Sequence, residues 1–299
     1  MDFSGRFCDR IMPDKLHCLS LSFLVDKLSK QMGGTAGNIA YSMRLLGMNP
    51  VILAPAGEDY APYRAFHKKH GITTKYVAIH KDVATSSYFV MTDQDDSQIG
   101  SFYTGATRYA KKLHIGDVPN RDTLVILAAT EPEAMKQYVK ECMELKAPYL
   151  YDPAFQIGNF TAEELDEGIS HAQIFIGNDY EIALAEQKLA ISHEELIVKV
   201  PILITTLGSK GSIIETRHDA MHIRRCDAKN ASDPTGAGDA YRAGFVSGYL
   251  RGFPLDVCGQ MGSVTAAYTV EKYGTQTHTF TKKEFIARYK EAYGTPIKL

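Results

Sequence analysis

Asp239 follows two glycines in the run Asp233-Pro234-Thr235-Gly236-Ala237-Gly238-Asp239-Ala240, where a loop gives way to a helix. From Ala237 onward, small or apolar residues recur at positions 237, 240, 241, 244, 245 and 248, the spacing of one helical face pressed against a neighbour. Gly236 and Gly238 therefore stand at a helix N-terminus. There the missing Cβ lets backbone N–H groups approach an anion, and the helix dipole adds about half a positive charge. Gly236, Ala237 and Gly238 together predict an anion hole for a transferring phosphoryl group. A carboxylate beside that hole would repel a phosphate, yet the dipole keeps it ionised. Both facts suit a general base that takes the proton of an attacking hydroxyl while the N–H groups hold the phosphoryl group in line. By itself the run also reads as a tight turn whose Asp stabilises its helix.

A second constellation lies about 200 residues upstream: Gly33-Gly34, Asn38, Ala40 and Leu46-Gly47, in the spacing GG-x3-N-x-A-x5-LG. Asn38 alone would be a cap or turn residue. Asn178-Asp179-Tyr180-Glu181 follows an apolar run and opens a helix, so Asn178 reads equally as an N-cap. Thr205, Thr206 and Gly208, with Lys210 and Gly211, end another apolar run, the place where ligands gather in open α/β sheets. The ten histidines form no metal-ligating set; His67 and His70, beside Lys68 and Lys69, read as a solvated helix face. No GxxxxGK[ST] run occurs, so the phosphates are not held by a Walker-type loop.

These residues need elements to hold them. Apolar runs at 51–54, 124–128, 148–151, 173–176 and 202–205 fit buried strands, and helical patterns at 36–47, 59–70, 131–146 and 161–170 separate most of them. The last opens with the capping-box pair Thr161 and Glu164. Such alternation predicts an α/β doubly wound parallel sheet. Residues 17–25 and 76–103 break the pattern and read as β-ribbon, with 87–91 and 98–103 flanking a polar turn over 92–97. They predict a small β lid made of residues 12–28 and 76–105, over a core of residues 29–75 and 106–299. From Gly236 onward the pattern is helical, over 236–250, 255–272 and 282–292.

The chain of 299 residues suits one large α/β domain with a small appendage. With 33 basic and 35 acidic residues mixed along it, the net charge of -2 offers no footprint for a nucleic acid. The five cysteines, spread out and odd in number, read as reduced thiols. The apolar runs are too short to span a bilayer and the N-terminus lacks the layout of a signal peptide, which predicts a cytoplasmic protein without membrane partners.

The glycine-rich run and the GG-x3-N-x-A-x5-LG run, in this order, resemble the signatures of the ribokinase (PfkB) family of carbohydrate and nucleoside kinases. The resemblance extends over nearly the whole chain and is closer to the bacterial adenosine kinases of ribokinase type. It is carried by Gly5-Arg6-Phe7, by residues 20–26, by Ser101-Phe102-Tyr103, Asp152-Pro153, Asn178 to Glu181, Thr205-Thr206-Leu207-Gly208 and Gly274-Thr275-Gln276. It implies an ATP- and magnesium-dependent transfer to the 5′-hydroxyl of a nucleoside, adenosine first, and a possible homodimer through the lid. Gly33, Gly34 and Asn38 would bind ribose hydroxyls, Ser22 would come from the lid, Tyr88 and Phe102 would sandwich the base, and Gln156 would contact it. Phe155 departs from the polar residue the resemblance implies there. Asn178 and Glu181 would organise magnesium-bound water; Thr205, Thr206, Gly208, Lys210 and Gly211 would serve the nucleotide. Asp233 resembles part of a monovalent-cation (K+) site, with backbone groups near Thr235, Ala267, Gly274 and Gln276.

Two alternatives stay open. One is a sugar kinase for ribose or fructose phosphate, for which Arg44 is the nearest cation; the other is a non-catalytic nucleoside-binding relative. One departure also stands out. Relatives begin with a strand bearing a Gly and an Asp before Gly-Arg-Phe, whereas Met1 lies four residues before Gly5. Losing an interior strand leaves buried backbone groups unpaired, which predicts that the core lacks its first strand and that the natural start lies roughly a dozen residues earlier.

Overall fold

The computed structural model describes residues 1–18, 20–95, 97–119 and 123–299. Strand β1 (Asp2–Phe3) leads through the 3-10 turns Phe7–Asp9 and Pro13–Cys18 to strand β2 (Val25–Lys27). Helix α1 (Thr35–Leu45) comes next, then strand β3 (Ala54–Gly57), helix α2 (Ala61–Lys69) and strand β4 (Val77–His80). β3 and β4 pair in parallel as a two-stranded sheet, in register from Ala54 and Val77. The strand expected over residues 51–54 thus begins where this ladder begins, and Val51 makes only an isolated bridge to Thr73.

Strands β5 (Ser87–Thr92) and β6 (Gln98–Tyr103) form the expected hairpin, antiparallel from Ser87 opposite Tyr103 to Thr92 opposite Gln98. Asp93 closes its turn: Oδ1 accepts the N–H groups of Asp95 and Ser97, both at 2.9 Å, while Oδ2 accepts that of Phe7 at 2.8 Å. Asp96 lies outside the described residues. The lid sheet has the order β2-β1-β5-β6, with the rings of Phe3, Phe7 and Phe23 packed 5.0–5.7 Å apart. Residues 17–25 do not form the ribbon expected of them. β1 takes the place beside β5, and only Val25–Lys27 pairs with it; Leu19 is outside the described residues. Val77–His80, within the expected lid boundary, pairs with β3 instead.

The core alternates: β7 (Val125–Ala128), α3 (Pro132–Leu145), β8 (Tyr149–Asp152), α4 (Ala162–Ser170), β9 (Ile174–Asn178), α5 (Asp179–Leu189), α6 (His193–Lys199) and β10 (Ile202–Thr206). β7 to β10 run parallel. Two strands that the sequence reading left out, β11 (Ser212–Glu215) and β12 (Ala220–Ile223), add an antiparallel edge, giving the order β12-β11-β10-β9-β8-β7. The sheet is therefore mixed. Its reversal at 207–211 depends on Gly211, with φ of 96°, where a Cβ would stand 2.1 Å from the Ile223 carbonyl oxygen.

Alternation along the strands builds two cores. Tyr149, Tyr151, Phe175 and Leu203 face α3, α4 and α5; Leu150, Ile174, Ile176 and Ile204 face α1 and the C-terminal helices α7 (Ala237–Tyr249) and α8 (Leu255–Val270). Helix α9 (Lys282–Tyr293) packs on α8 through Phe285 and Tyr289. α7 and α8 approach closely: a Cβ on Gly244 would lie 2.5 Å from the Met261 carbonyl oxygen, the reason its face carries small residues. Among the described residues the strands before α1, β1 and β2, pair in the lid sheet, and the β3–β4 pair stays separate from the six-stranded sheet. Among the described residues no helix is long and apolar enough to cross a membrane.

Candidate functional site

The C-terminal ends of β8, β9 and β10 and the N-terminus of α7 bring the site residues together. Gly236, the N-cap of α7, has φ of 80°, a left-handed conformation that glycine adopts without strain, and a Cβ there would press on Thr275 Cγ2 at 2.9 Å. Ala237 donates its N–H to the Pro234 carbonyl at 3.1 Å. Among the described residues nothing accepts from the N–H groups of Gly236, Gly238 and Asp239. The open donors are therefore these three rather than Ala237, whose N–H closes the turn. Asp239 stands in the first helical turn with its carboxylate nearly buried, and its Oδ2 accepts a hydrogen bond from Asn38 Nδ2 at 2.8 Å.

Asn38 is oriented by its other end. Its Oδ1 lies 2.8 Å from both Gln276 Nε2 and Thr275 Oγ1, so the amide nitrogen must face Asp239. Gln276 also donates to the Tyr63 hydroxyl, which in turn donates to the Gly33 carbonyl at 2.6 Å. A chain of hydrogen bonds thus joins the diglycine loop, α1, α2 and the Gly274-Thr275-Gln276 loop to the carboxylate on α7. Burial raises the Tyr63 phenol, which remains a neutral donor.

A cation sits behind Asp239. Arg242 Nε lies 2.6 Å from Asp152 Oδ2, an ion pair by distance with the N–H poorly aligned for a hydrogen bond, and Arg242 Nη1 lies 3.9 Å from Asp239 Oδ1. Burial pushes the carboxyls of Asp239 and Asp152 above the usual carboxylate range; Arg242 pulls both back, and Asn38 pulls Asp239 back further. Glu181 is also raised by burial, and Asp152 adds to that.

Asn178 and Glu181 form a capping box at the start of α5, each side chain accepting the other's backbone N–H at 2.8 Å. Asn178 pairs in register with Thr206 on β10, and Thr205 is buried with its hydroxyl unpartnered among the described residues. Gly208 and Lys210 make the turn after β10 that Gly211 closes. Asp233 spends both oxygens on backbone donors, Thr235 at 2.9 Å and Gly274 at 3.0 Å, which staples the 274–276 loop to the start of α7. Among the described residues no three His, Cys, Asp or Glu side chains converge as a metal-ligating group.

On the lid, Tyr88 and Phe102 are 60% and 55% exposed and directly opposite in register. Opposite residues share one face of a ribbon, so the two rings form a single wall and cannot be the two sides of a sandwich. Gly100 makes room for the Tyr88 ring, which lies within 3 Å of where a Cβ would be. Ser22 is exposed just before β2, and no hydrogen bond among the described residues ties it to Asn38 or Asp239. Gln156 is tied at both ends of its amide, donating to the Thr130 carbonyl and accepting from Asn159 Nδ2, both at 2.6 Å, so a base contact requires that it let go. His67 is not on a solvated face: it is 2% exposed, with Nδ1 2.8 Å from the Tyr60 hydroxyl.

Four side chains of this site carried no role in the sequence reading: Tyr63, Asp152, Arg242 and the Gln276 amide. Arg242 had a legible signal, being a charge one turn after Asp239 on a helix face otherwise small and apolar. Tyr63 had none, and Gln276 was marked only by the segment Gly274-Thr275-Gln276, not by its amide, because the two partners are 213 residues apart.

The family model described as pfkB family carbohydrate kinase matches residues 8–282. The nucleoside kinase of Methanocaldococcus jannaschii is 32% identical over 90% of this chain and 89% of its own length. Among solved structures, the Burkholderia thailandensis nucleoside kinase in complex with inosine superposes with a TM-score of 0.91 at 32% identity, covering all of this chain and 96% of that one. The same enzyme in complex with ADP-inosine gives 0.88 at 33% identity, over 100% and 93% of the two chains. The fold is that of ribokinase-family kinases.

Proposed function

The chain belongs to the pfkB family of carbohydrate kinases, ATP-dependent phosphotransferases that act on a hydroxyl group, and on that premise we propose that its acceptor is the 5′-hydroxyl of a purine nucleoside. Adenosine is the acceptor read from the sequence; the inosine held by the Burkholderia relative makes inosine its companion in any test. The observation that carries the reading is the 2.8 Å contact between Asn38 and Asp239, which joins the two signature runs at the open end of a helix.

In this reading the 5′-oxygen attacks the γ-phosphorus, an O–P bond forms as the bond to the β,γ-bridging oxygen breaks, and ADP leaves. Asp239 accepts the hydroxyl proton, a contribution of roughly 10²–10⁴ in rate. The N–H groups of Gly236, Gly238 and Asp239 face the charge on the transferred group. Asn38, with Gly33 and Gly34, holds the ribose, and Tyr88 and Phe102 offer a flat apolar wall to the base. Thr205, Thr206, Gly208, Lys210 and Gly211 line the nucleotide's side. The carboxyl of Glu181, raised by burial although Arg242 pulls it back, suits a water-held magnesium ion with Asn178; bound there, the ion would neutralise phosphate charge.

A sugar-phosphate acceptor needs a cation near Asn38. Arg44 is turned away from that task, donating to Met48 O at 2.9 Å and Asn49 Oδ1 at 2.5 Å at the end of α1. The test is ADP release with adenosine, inosine, ribose and fructose 6-phosphate. Either nucleoside should exceed ribose at least tenfold in kcat/KM, since stacking one base is worth roughly 1–3 kcal/mol. Equal rates with ribose would transfer the reading to a sugar kinase.

A further inference from the structure

We propose that Arg242 is a positioning residue for phosphoryl transfer: clamped by Asp152, its guanidinium faces Asp239 Oδ1 and leaves that oxygen to take the proton. The inference rests on the reading of Asp239 as the base. The two oxygens of that carboxylate have different surroundings. Oδ2 is engaged by Asn38 Nδ2 at 2.8 Å. Oδ1 faces Arg242 Nη1 at 3.9 Å, close enough for attraction and too far for a hydrogen bond, so its lone pairs stay open to a hydroxyl.

The distance is maintained by construction. Arg242 lies three residues after Asp239, and helical side chains lean toward the N-terminus, which brings the guanidinium back over the first turn. A Cβ at position 238 would stand 2.7 Å from Nη1, so Gly238 is also the space the cation occupies. Asp152, at the end of β8, holds Nε at 2.6 Å and keeps the guanidinium from swinging round to cap Oδ1. The side chains of Arg242, Asp239 and Asp152 are 12%, 14% and 3% exposed, so their attraction is little screened by water. When Asp239 takes up the proton, Arg242 still has Asp152 as its partner, and no buried cation is left unpaired.

Every element around Asp239 bears on its charge. α1 offers the neutral Asn38 amide and α2 the neutral Tyr63 phenol; β8 brings the acidic Asp152, and α5 brings Glu181, which acts on Arg242; among the described residues the cation that faces Asp239 is Arg242 of α7. Burial raises the Asp239 carboxyl, and Arg242 is the largest opposing influence. The base works ionised, so the rate falls as pH drops through its folded value. Removing the cation raises that value and moves the acid limb of the profile to higher pH.

The experiment records kcat against pH, with adenosine and ATP, for wild type, Arg242→Lys, Arg242→Met, and the double variant Arg242→Met with Asp152→Asn. The double variant removes the charge of Asp152 together with that of its cation, so that of the three only Asp239 stays charged, and keeps the test usable if the single Met variant does not fold. Arg242→Met should move the acid limb up by about 1–3 pH units and regain most of kcat at alkaline pH, and the double variant, which also loses the repulsion of Asp152, should move it up by less. Arg242→Lys, retaining a cation, should stay close to wild type. A folded double variant with an unmoved limb, or a Lys variant displaced as far as Met, overturns the inference. Asp239→Asn separates the two readings: a rate near wild type removes the base, and this inference with it, whereas a dead enzyme with an unmoved Met limb removes the inference alone.

Discussion

Gln276 Nε2 lies 2.8 Å from Asn38 Oδ1, and this contact decides which end of the Asn38 amide meets Asp239. Exchanging the amide for a carboxylate reverses the demand. Gln276→Glu should turn the Asn38 nitrogen toward position 276 and its oxygen toward Asp239. A hydrogen bond to a charged group is worth about 1.5–3 kcal/mol, so kcat/KM for the nucleoside should fall about 10-fold or more while the KM for ATP holds. Equal loss with both substrates would point to general damage instead.

Asp239→Asn should leave ATP binding nearly intact and lower kcat by at least about 10². The substitution keeps the shape of the first turn of α7 and the side-chain size beside Arg242. Single-turnover rates check it, and a kcat within threefold of wild type sinks the base assignment.

Phe102→Ala and Tyr88→Ala should each raise the nucleoside KM, the two effects being similar because the rings share one wall opposite each other on the lid. Ribose, which has no base to stack, serves as the control. A KM for ribose that rises as far as that for adenosine would show that the rings act on the lid's stability.

Glu181→Gln retains the capping box with Asn178, since glutamine also accepts at that position, so α5 keeps its cap. The magnesium concentration for half-maximal rate should nevertheless rise, because the charge is gone. An unchanged magnesium titration with intact melting behaviour counts against Glu181 as the group holding the ion's water.

His278 is fully buried among Ser42, Tyr41 and Thr269, and burial lowers its pKa from 6.5 to about 4. The unfolded chain therefore takes up the proton first as pH falls. The stability that neutral His278 contributes is present above pH 6.5 and is lost between 6.5 and 4, at up to about 1.4 kcal/mol per pH unit. Melting temperature should drop from pH 7.5 to 5, and less steeply in His278→Gln; parallel curves would refute it.

Much of this molecule was legible in local patterns. The β/α alternation, the hairpin around Asp93, the capping box at Thr161, the N-cap at Asn178 and the glycine-rich start of α7 each depend on residues within one turn or one pairing, where type and spacing carry the physics. The family signatures were visible for the same reason. The facing of Asn38, the clamp of Asp152 on Arg242, the burial of His67 and the side-by-side setting of Tyr88 and Phe102 were decided only by the tertiary structure. Each depends on contacts between distant segments or on strand register. Asn38 and Asp239 are 201 positions apart, and no spacing rule acts over that length; only the packing of α1 against α7 brings the amide to the carboxylate.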